Sequence, residues 1–191
     1  MHPILDARPL IVALAGPNGA GKSTFFEAHL QASGLRFINA DDFARRLGIG
    51  RSQAAELATA LRIELVKQRE SFIFETVFSD PVGDKLHFLK DVVAIDYAAL
   101  LIYIGLSDAA ISEERVAMRV SQGGHDVRSE KIQSRFSRTL VNLKRAIKEL
   151  PLVLIYDNSD LQRPFRKVAE YGNGQPLFVA QPLPEWFAPL L

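Results

Sequence analysis

The chain has 191 residues, 48% hydrophobic and 24% charged, with 23 Lys and Arg against 22 Asp and Glu for a net charge of +1. No basic run exceeds pairs such as Arg45-Arg46 and Lys144-Arg145, which speaks against a nucleic-acid or membrane-surface role, and the absence of cysteine excludes disulfides and thiolate metal sites. No apolar stretch is long enough to span a bilayer and no signal peptide is visible, so the expectation is a soluble cytoplasmic protein with a single domain over 1–191, its core at about 10–160 and a hairpin and tail at 161–191.

In chain order, short apolar runs alternate with longer helical stretches. Residues 10–15, 35–39, 71–75, 98–105 and 152–156 read as buried strands, each ending near Gly, Asn or Asp. Helices fit at 22–32, at 52–69 with Leu57, Leu61 and Leu65 on one stripe, from Asp84 to about residue 94, and at 108–121. The longest starts after Ser129, read as its N-cap, and runs to about residue 150, where Pro151 ends it. Its apolar stripe is Ile132, Phe136, Leu140, Leu143 and Ile147, with Arg135, Arg138, Asn142 and Arg145 on another face. Residues 166–171 and 175–180 flank a hairpin turn at Gly172-Asn173-Gly174. The tail, with Pro182, Pro184, Trp186, Phe187 and Pro189, reads as surface closure. The pattern is βαβ throughout. It predicts an α/β fold with a doubly wound, mostly parallel five-stranded sheet, helices on both faces and a C-terminal β-hairpin.

One motif carries chemistry. Gly16-Pro17-Asn18-Gly19-Ala20-Gly21-Lys22-Ser23 matches the P-loop pattern G-x-x-x-x-G-K-[ST], with a strand before it and a helix after it. Backbone N–H groups must curl around phosphate oxygens, which demands small residues. The helix start adds positive potential at the anion. Lys22 would reach the β- and γ-phosphates, and Ser23 would offer its hydroxyl to Mg²⁺. The expected cofactors are ATP and Mg²⁺, in a P-loop NTPase fold.

In such a sheet ligands sit at the carboxyl ends of the strands. Asp41 and Glu75 fall there, and a kinase needs a carboxylate to orient and deprotonate its acceptor hydroxyl. Asp41 reads as that base or as a helix N-cap; Asp42 reads as the cap of the helix that follows. Glu75 reads as a ligand of a substrate hydroxyl, of Mg²⁺ through water, or of the loop itself. Thr76 either contacts substrate or caps the turn. Arg115, Arg119, Arg135 and Arg138 flank Gly123-Gly124-His125-Asp126. They read as a helical lid closing over nucleotide, with Arg119 and Arg135 on the transferring phosphate, or as a solvated basic face.

Taken together, Gly16 to Thr24, Ile38-Asn39-Ala40-Asp41, Phe74-Glu75-Thr76, Arg119, Gly123-Gly124-His125-Asp126-Val127, Arg135 and Tyr156-Asp157-Asn158-Ser159 resemble the zeta-toxin-like P-loop kinases over about residues 10–160. The resemblance implies ATP-dependent phosphate transfer to a hydroxyl, the acceptor in toxin members being a UDP-N-acetylamino sugar. It implies Asp41 as general base, Glu75 as the acceptor's holder, Lys22 and lid arginines on the phosphates, and an antitoxin protein as a partner. Other readings are a nucleoside or polynucleotide-end kinase, or an ATP-binding regulator without transfer. Residues 156–159 read equally as an adenine contact and as a strand-end turn.

Overall fold

A computed structural model describes residues 2–121 and 127–191. A seven-stranded sheet runs through the molecule in the order β2-β3-β1-β4-β5-β6-β7. The strands are β1 (Leu10–Ala15), β2 (Arg36–Ile38), β3 (Phe72–Thr76), β4 (Ala98–Gly105), β5 (Leu152–Asp157), β6 (Arg166–Gly172) and β7 (Gln175–Val179). β1 to β5 are parallel, and β6 and β7 continue the sheet antiparallel beyond β5. The predicted α/β class and strand positions hold. The count rises from five to seven because the C-terminal hairpin hydrogen-bonds to β5 rather than standing apart.

The helices are α1 (Lys22–Phe25), α2 (Ala40–Leu47), α3 (Arg51–Lys67), α4 (Asp84–Val93), α5 (Ala109–Ser121) and α6 (Ser129–Glu149). α1 passes into a π-type segment, Phe26–Leu30, and then a 3₁₀ turn, Gln31–Ser33. Successive strand residues point to opposite faces, so the sheet builds two cores. Ile11, Ala13, Phe72, Phe74, Leu101, Tyr103 and Val153 face one layer, under α3, α4 and α6. Leu10, Val12, Leu14, Ile73, Ile102 and Leu154 face the other, with Phe25 and Leu30.

Three sequence readings need correction. On α3 the buried stripe is Ala54, Ala58, Arg62 and Leu65, whereas Leu57 is exposed. The element that α3 approaches most closely is α2, and the inward side of α3 carries the small residues Ala54 and Ala58. On α6, Asn142, off the apolar stripe, is buried because it bonds to the loop after β3. Ser129 is the first helical residue and Arg128 precedes it as N-cap, without a side-chain cap bond. The helix expected after Asp42 is α2, which begins earlier, at Ala40, and is capped not by Asp41 or Asp42 but by Asn39, whose Oδ1 accepts from the Asp41 amide at 2.8 Å. Its acids Asp41 and Asp42 lie in the first turn and Arg45 and Arg46 in the last, each complementing the helix dipole. No helix among the described residues is long and apolar enough to cross a membrane.

Candidate phosphate and acceptor site

The loop from Gly16 to Gly21 joins β1 to α1 at the carboxyl end of the sheet. Its backbone demands glycine. Gly16 has φ +143°, and a Cβ there would lie 2.2 Å from the Ile104 carbonyl oxygen. Gly21 has φ +84°, and a Cβ would lie 2.7 Å from Asn158 Nδ2. Two elements brace the loop. Ser112 of α5, fully buried, donates to Asn18 O at 2.6 Å. Asn158, after β5, donates to Ala20 O at 2.9 Å and accepts from the Phe165 amide. These bonds consume carbonyls and leave donors free. Among the described residues nothing accepts from the amides of Gly19, Gly21 or Lys22. A concave row of unsatisfied N–H groups is an anion cradle.

Lys22 is folded into this loop. Its Nζ donates to Gly16 O and Pro17 O, each at 3.0 Å, and lies 3.6 Å from Glu75 Oε1. Burial pushes its ammonium below the usual lysine value, Glu75 and then Asp41 pull it back up, and Arg119 of α5 presses it down again. Arg119 therefore stands near the cradle. Glu75 is the hub, since its Oε2 also accepts from Ser23 Oγ at 2.9 Å and from Asn39 Nδ2 at 3.0 Å. Thr76 Oγ1 accepts from the Phe78 amide, the turn-capping alternative. The side-chain carboxylate of Asp41 accepts no hydrogen bond among the described residues and reaches a cavity of about 230 Å³ that Asn39, Glu75, Thr76, Arg62 and Lys85 also line.

Arg135 lies elsewhere than Arg119. It lines a neighbouring cavity with Thr76, Asp80, Lys85 and Arg138. α6 is fastened there: Arg138 Nε donates to Ser79 O, Thr139 Oγ1 to Val77 O, and Asn142 Nδ2 to Phe78 O and Asp80 O. The Gly123-Gly124 hinge, His125 and Asp126 fall outside the described residues. On the far side of the cradle a cavity of about 430 Å³ is lined by Gly21, Thr24, Arg115, Met118, Asn158 and Ser159. Tyr156 does not reach it and lines a separate apolar cavity with Phe25 and His29. Asp157 Oδ1 accepts from the Ser159 amide and hydroxyl, so the segment is at once a strand-end turn and a cavity wall.

Ser23 Oγ and the Glu75 carboxylate are hard oxygen donors side by side at the cradle, a pair that fits Mg²⁺ held jointly by protein and phosphates. Among the described residues no group of three His, Asp or Glu forms a metal cage of its own, so the cation would come with the nucleotide.

Sequence reasoning missed Arg62, Lys85 and Ser112, and it included Asn39 and Asn158 in its matching segments without giving Asn39 its capping role or Asn158 its bond to the loop. Asn39 was findable, as an N-cap residue type directly before an acidic first turn. Arg62 was findable as the arginine in register with Ala54 and Ala58. Ser112 acts through a single bond across the fold, and local sequence holds no sign of it; the bond from Asn158 to Ala20 is likewise invisible before the sheet is assembled.

A model of the AAA domain family matches residues 11–143. A search of curated proteins finds no match. Among solved structures, the chain resembles AvrRxo1-ORF1 in its complex with ORF2 and ATP, with TM-score 0.69 and 18% identity over 91% of this chain and 61% of that one. It thus spans about three fifths of the length of that protein. It also resembles a putative kinase from Chloroflexus aurantiacus, with TM-score 0.59, 19% identity, and 82% and 92% of the two chains covered. A third is a protein of the PezAT toxin–antitoxin system of Streptococcus pneumoniae, with TM-score 0.65, 13% identity, and 85% and 72% covered. The fold is that of a P-loop nucleoside-triphosphate domain, and the chain belongs to the AAA domain family.

Proposed function

We propose that the chain is an ATP-dependent kinase that transfers the γ-phosphate to a hydroxyl of a small metabolite. One observation carries the reading. Glu75 ties Lys22 and Ser23 of the cradle to Asn39 of the acceptor side, and the Asp41 carboxylate stands unengaged in the cavity beside them. Phosphate donor and hydroxyl acceptor would then meet across Glu75. The Gly16 to Thr24 segment holds the triphosphate, and the 430 Å³ cavity walled by Asn158 and Ser159 has the place and size for the base.

Lys22 would leave the carbonyls of Gly16 and Pro17 for the β- and γ-phosphate oxygens, exchanging two neutral acceptors for charged ones. Mg²⁺, bound with the nucleotide at Ser23, supplies neutralisation of phosphate charge. Asp41 takes the proton of the acceptor hydroxyl as its oxygen bonds to the γ-phosphorus, and the bond from that phosphorus to the ADP oxygen breaks. Glu75 and Thr76 position the acceptor. Arg119 stabilises charge on the equatorial oxygens, and Arg135 approaches from α6.

The segments Asn39-Ala40-Asp41 and Phe74-Glu75-Thr76, with their zeta-toxin likeness, favour a UDP-N-acetylamino sugar as acceptor and an antitoxin protein as partner in the cytoplasm. The test is a mass-spectrometric screen of a metabolite extract containing nucleotide sugars, incubated with protein, ATP and Mg²⁺. A product heavier by one phosphate is expected, absent with Lys22→Ala. ATP turnover that needs no acceptor, or label on an oligonucleotide 5′ end, would overturn the reading.

A further inference from the structure

Arg62 is a cation buried in the wrong place for stability. Its side chain lies on the inner face of α3 and is 6% exposed. The guanidinium carbon sits 4.8 Å from the Phe74 ring centre and 5.6 Å from that of Phe88. Among the described residues its one hydrogen bond runs from Nη2 to Thr59 Oγ1 at 2.9 Å, while Nε is buried without an acceptor. No carboxylate among the described residues comes within ion-pair distance. Burial alone pulls its pKa down to about 10, with no carboxylate acting to hold it up, yet at neutral pH it remains charged. A buried charge without a counter-ion is costly, and the two aromatic faces offset only part of that cost.

The same side chain lines the cavity that Asp41 and Glu75 line, and so does Lys85, half-buried and without an ion-pair partner among the described residues. The cavity therefore has two kinds of wall. Asp41 and Glu75 are the acidic part, suited to a hydroxyl. Arg62 and Lys85 are the basic part, and nothing in the kinase step uses them.

We propose that the acceptor is an anion, and that Arg62, with Lys85, binds its phosphate or carboxylate group inside this cavity while the hydroxyl faces Asp41. The proposal rests on the kinase reading and narrows it: neutral sugars and neutral nucleosides are excluded as acceptors. The counter-ion missing from the folded protein is supplied by the substrate. Selectivity follows from desolvation, since a neutral molecule of the same shape would leave the guanidinium buried and unpaired.

The test is calorimetric titration of the full chain with two small anions, pyrophosphate and malonate. The cradle is first saturated with Mg²⁺ and a non-hydrolysable ATP analogue, so that it cannot take the anion. One-to-one binding is expected, weakened at least tenfold by Arg62→Met and several-fold by Lys85→Met. Affinity for the ATP analogue should not change, and the Tm of Arg62→Met should equal or exceed that of the parent. The tighter of the two anions identifies the acid. Equal affinity in parent and Arg62→Met, or binding of neither anion, overturns the proposal. So does an Arg62→Met protein that loses Tm and ATP-analogue affinity together, since Arg62 is then a structural cation. The titrations are repeated on Lys22→Ala with and without Arg62→Met. If the ATP analogue fails to bind the parent chain, the kinase reading falls, and the Arg62 comparison in the Lys22→Ala background still decides the anion site.

Discussion

Glu75 is engaged on three sides before any nucleotide arrives, by Lys22, Ser23 and Asn39. Its effect on Lys22 has a measurable consequence. Burial lowers the Lys22 pKa and Glu75 raises it, with burial the larger, so the protonated form proposed to bind phosphate is lost at a pH below the ordinary lysine value of 10.5. Removing the Glu75 charge removes the largest raising influence, and the pKa falls further. Glu75→Gln is therefore expected to move the alkaline loss of ATP affinity to lower pH, in the direction opposite to a mutation that unburies the lysine. Fluorescence titration of an ATP analogue from pH 7 to pH 10 reads both curves. Asp41 behaves differently, because it makes no bond that shapes the cradle. Asp41→Asn is expected to leave ATP affinity within about twofold and to lower single-turnover phosphate transfer by about a hundredfold to ten-thousandfold, the usual range for a positioned general base. Unchanged transfer would remove Asp41 from that role. Of these residues the P-loop motif disclosed Lys22 and Ser23 directly, and strand ends disclosed Asp41 and Glu75. The hub itself was hidden, since three partners converge on one carboxylate from β1–α1, α1 and β2–α2 only when the sheet is assembled.

At the scale of elements, the cradle is shaped by its neighbours. α5 reaches it through Ser112, and the segment after β5 through Asn158. Asn158 is 4% exposed and serves both Ala20 O and the Phe165 amide. Asn158→Ala leaves a buried carbonyl, that of Ala20, and a partly buried amide, that of Phe165, unpaired. The expected cost is about 1–3 kcal/mol in urea unfolding, with weaker ATP binding because the amides are no longer held apart. Asn158→Asp is the sharper probe. It keeps the shape and the acceptor for the Phe165 amide but loses the donor to Ala20, and it adds charge at an anion site, so ATP affinity should fall more than stability. Helix positions were legible from apolar spacing, but helix faces less so. On α3 Leu61 and Leu65 do pack against the core, but Leu57 is exposed, and Ala54, Ala58 and Arg62 complete the buried side, because a hydrophobic count rewards large residues and passes over small ones. Hydrophobicity also hid Arg62 and Asn142, polar groups buried for the sake of partners on β3 and its following loop.

Over the whole molecule, the parallel pairing of β1 to β5 was implied by the βαβ alternation, but their order β2-β3-β1-β4-β5 and the far edge were not. A hairpin turn at Asn173-Gly174 is a local signal; its docking on β5 depends on strand-edge hydrogen bonds that leave no local mark. The tail is the clearest case. Its prolines suggested a surface cover, yet Phe187 is fully buried and Trp186 nearly so, both within the core beneath α6. Trp186 Nε1 donates to Asp157 Oδ1 at 3.1 Å, and the same oxygen holds Ser159 in the turn beside the cavity proposed for the nucleotide base. Trp186 thus supports the end of β5 through Asp157, and Ser159, held by the same carboxylate, lines the cavity. Two substitutions separate these duties. Phe187→Ala removes a buried aromatic ring and is expected to cost about 3–5 kcal/mol, read as a drop in urea midpoint with unchanged slope, while nucleotide affinity of the folded fraction stays the same. Trp186→Phe keeps most of the packing and deletes the bond to Asp157, so its stability cost is about 1 kcal/mol. Asp157 is then freer to move, and the effect should reach the base end of the site: ATP affinity falls while affinity for inorganic triphosphate, which lacks a base, does not. A tail that acted only as a cover would show neither the large Phe187 cost nor this division between ATP and triphosphate.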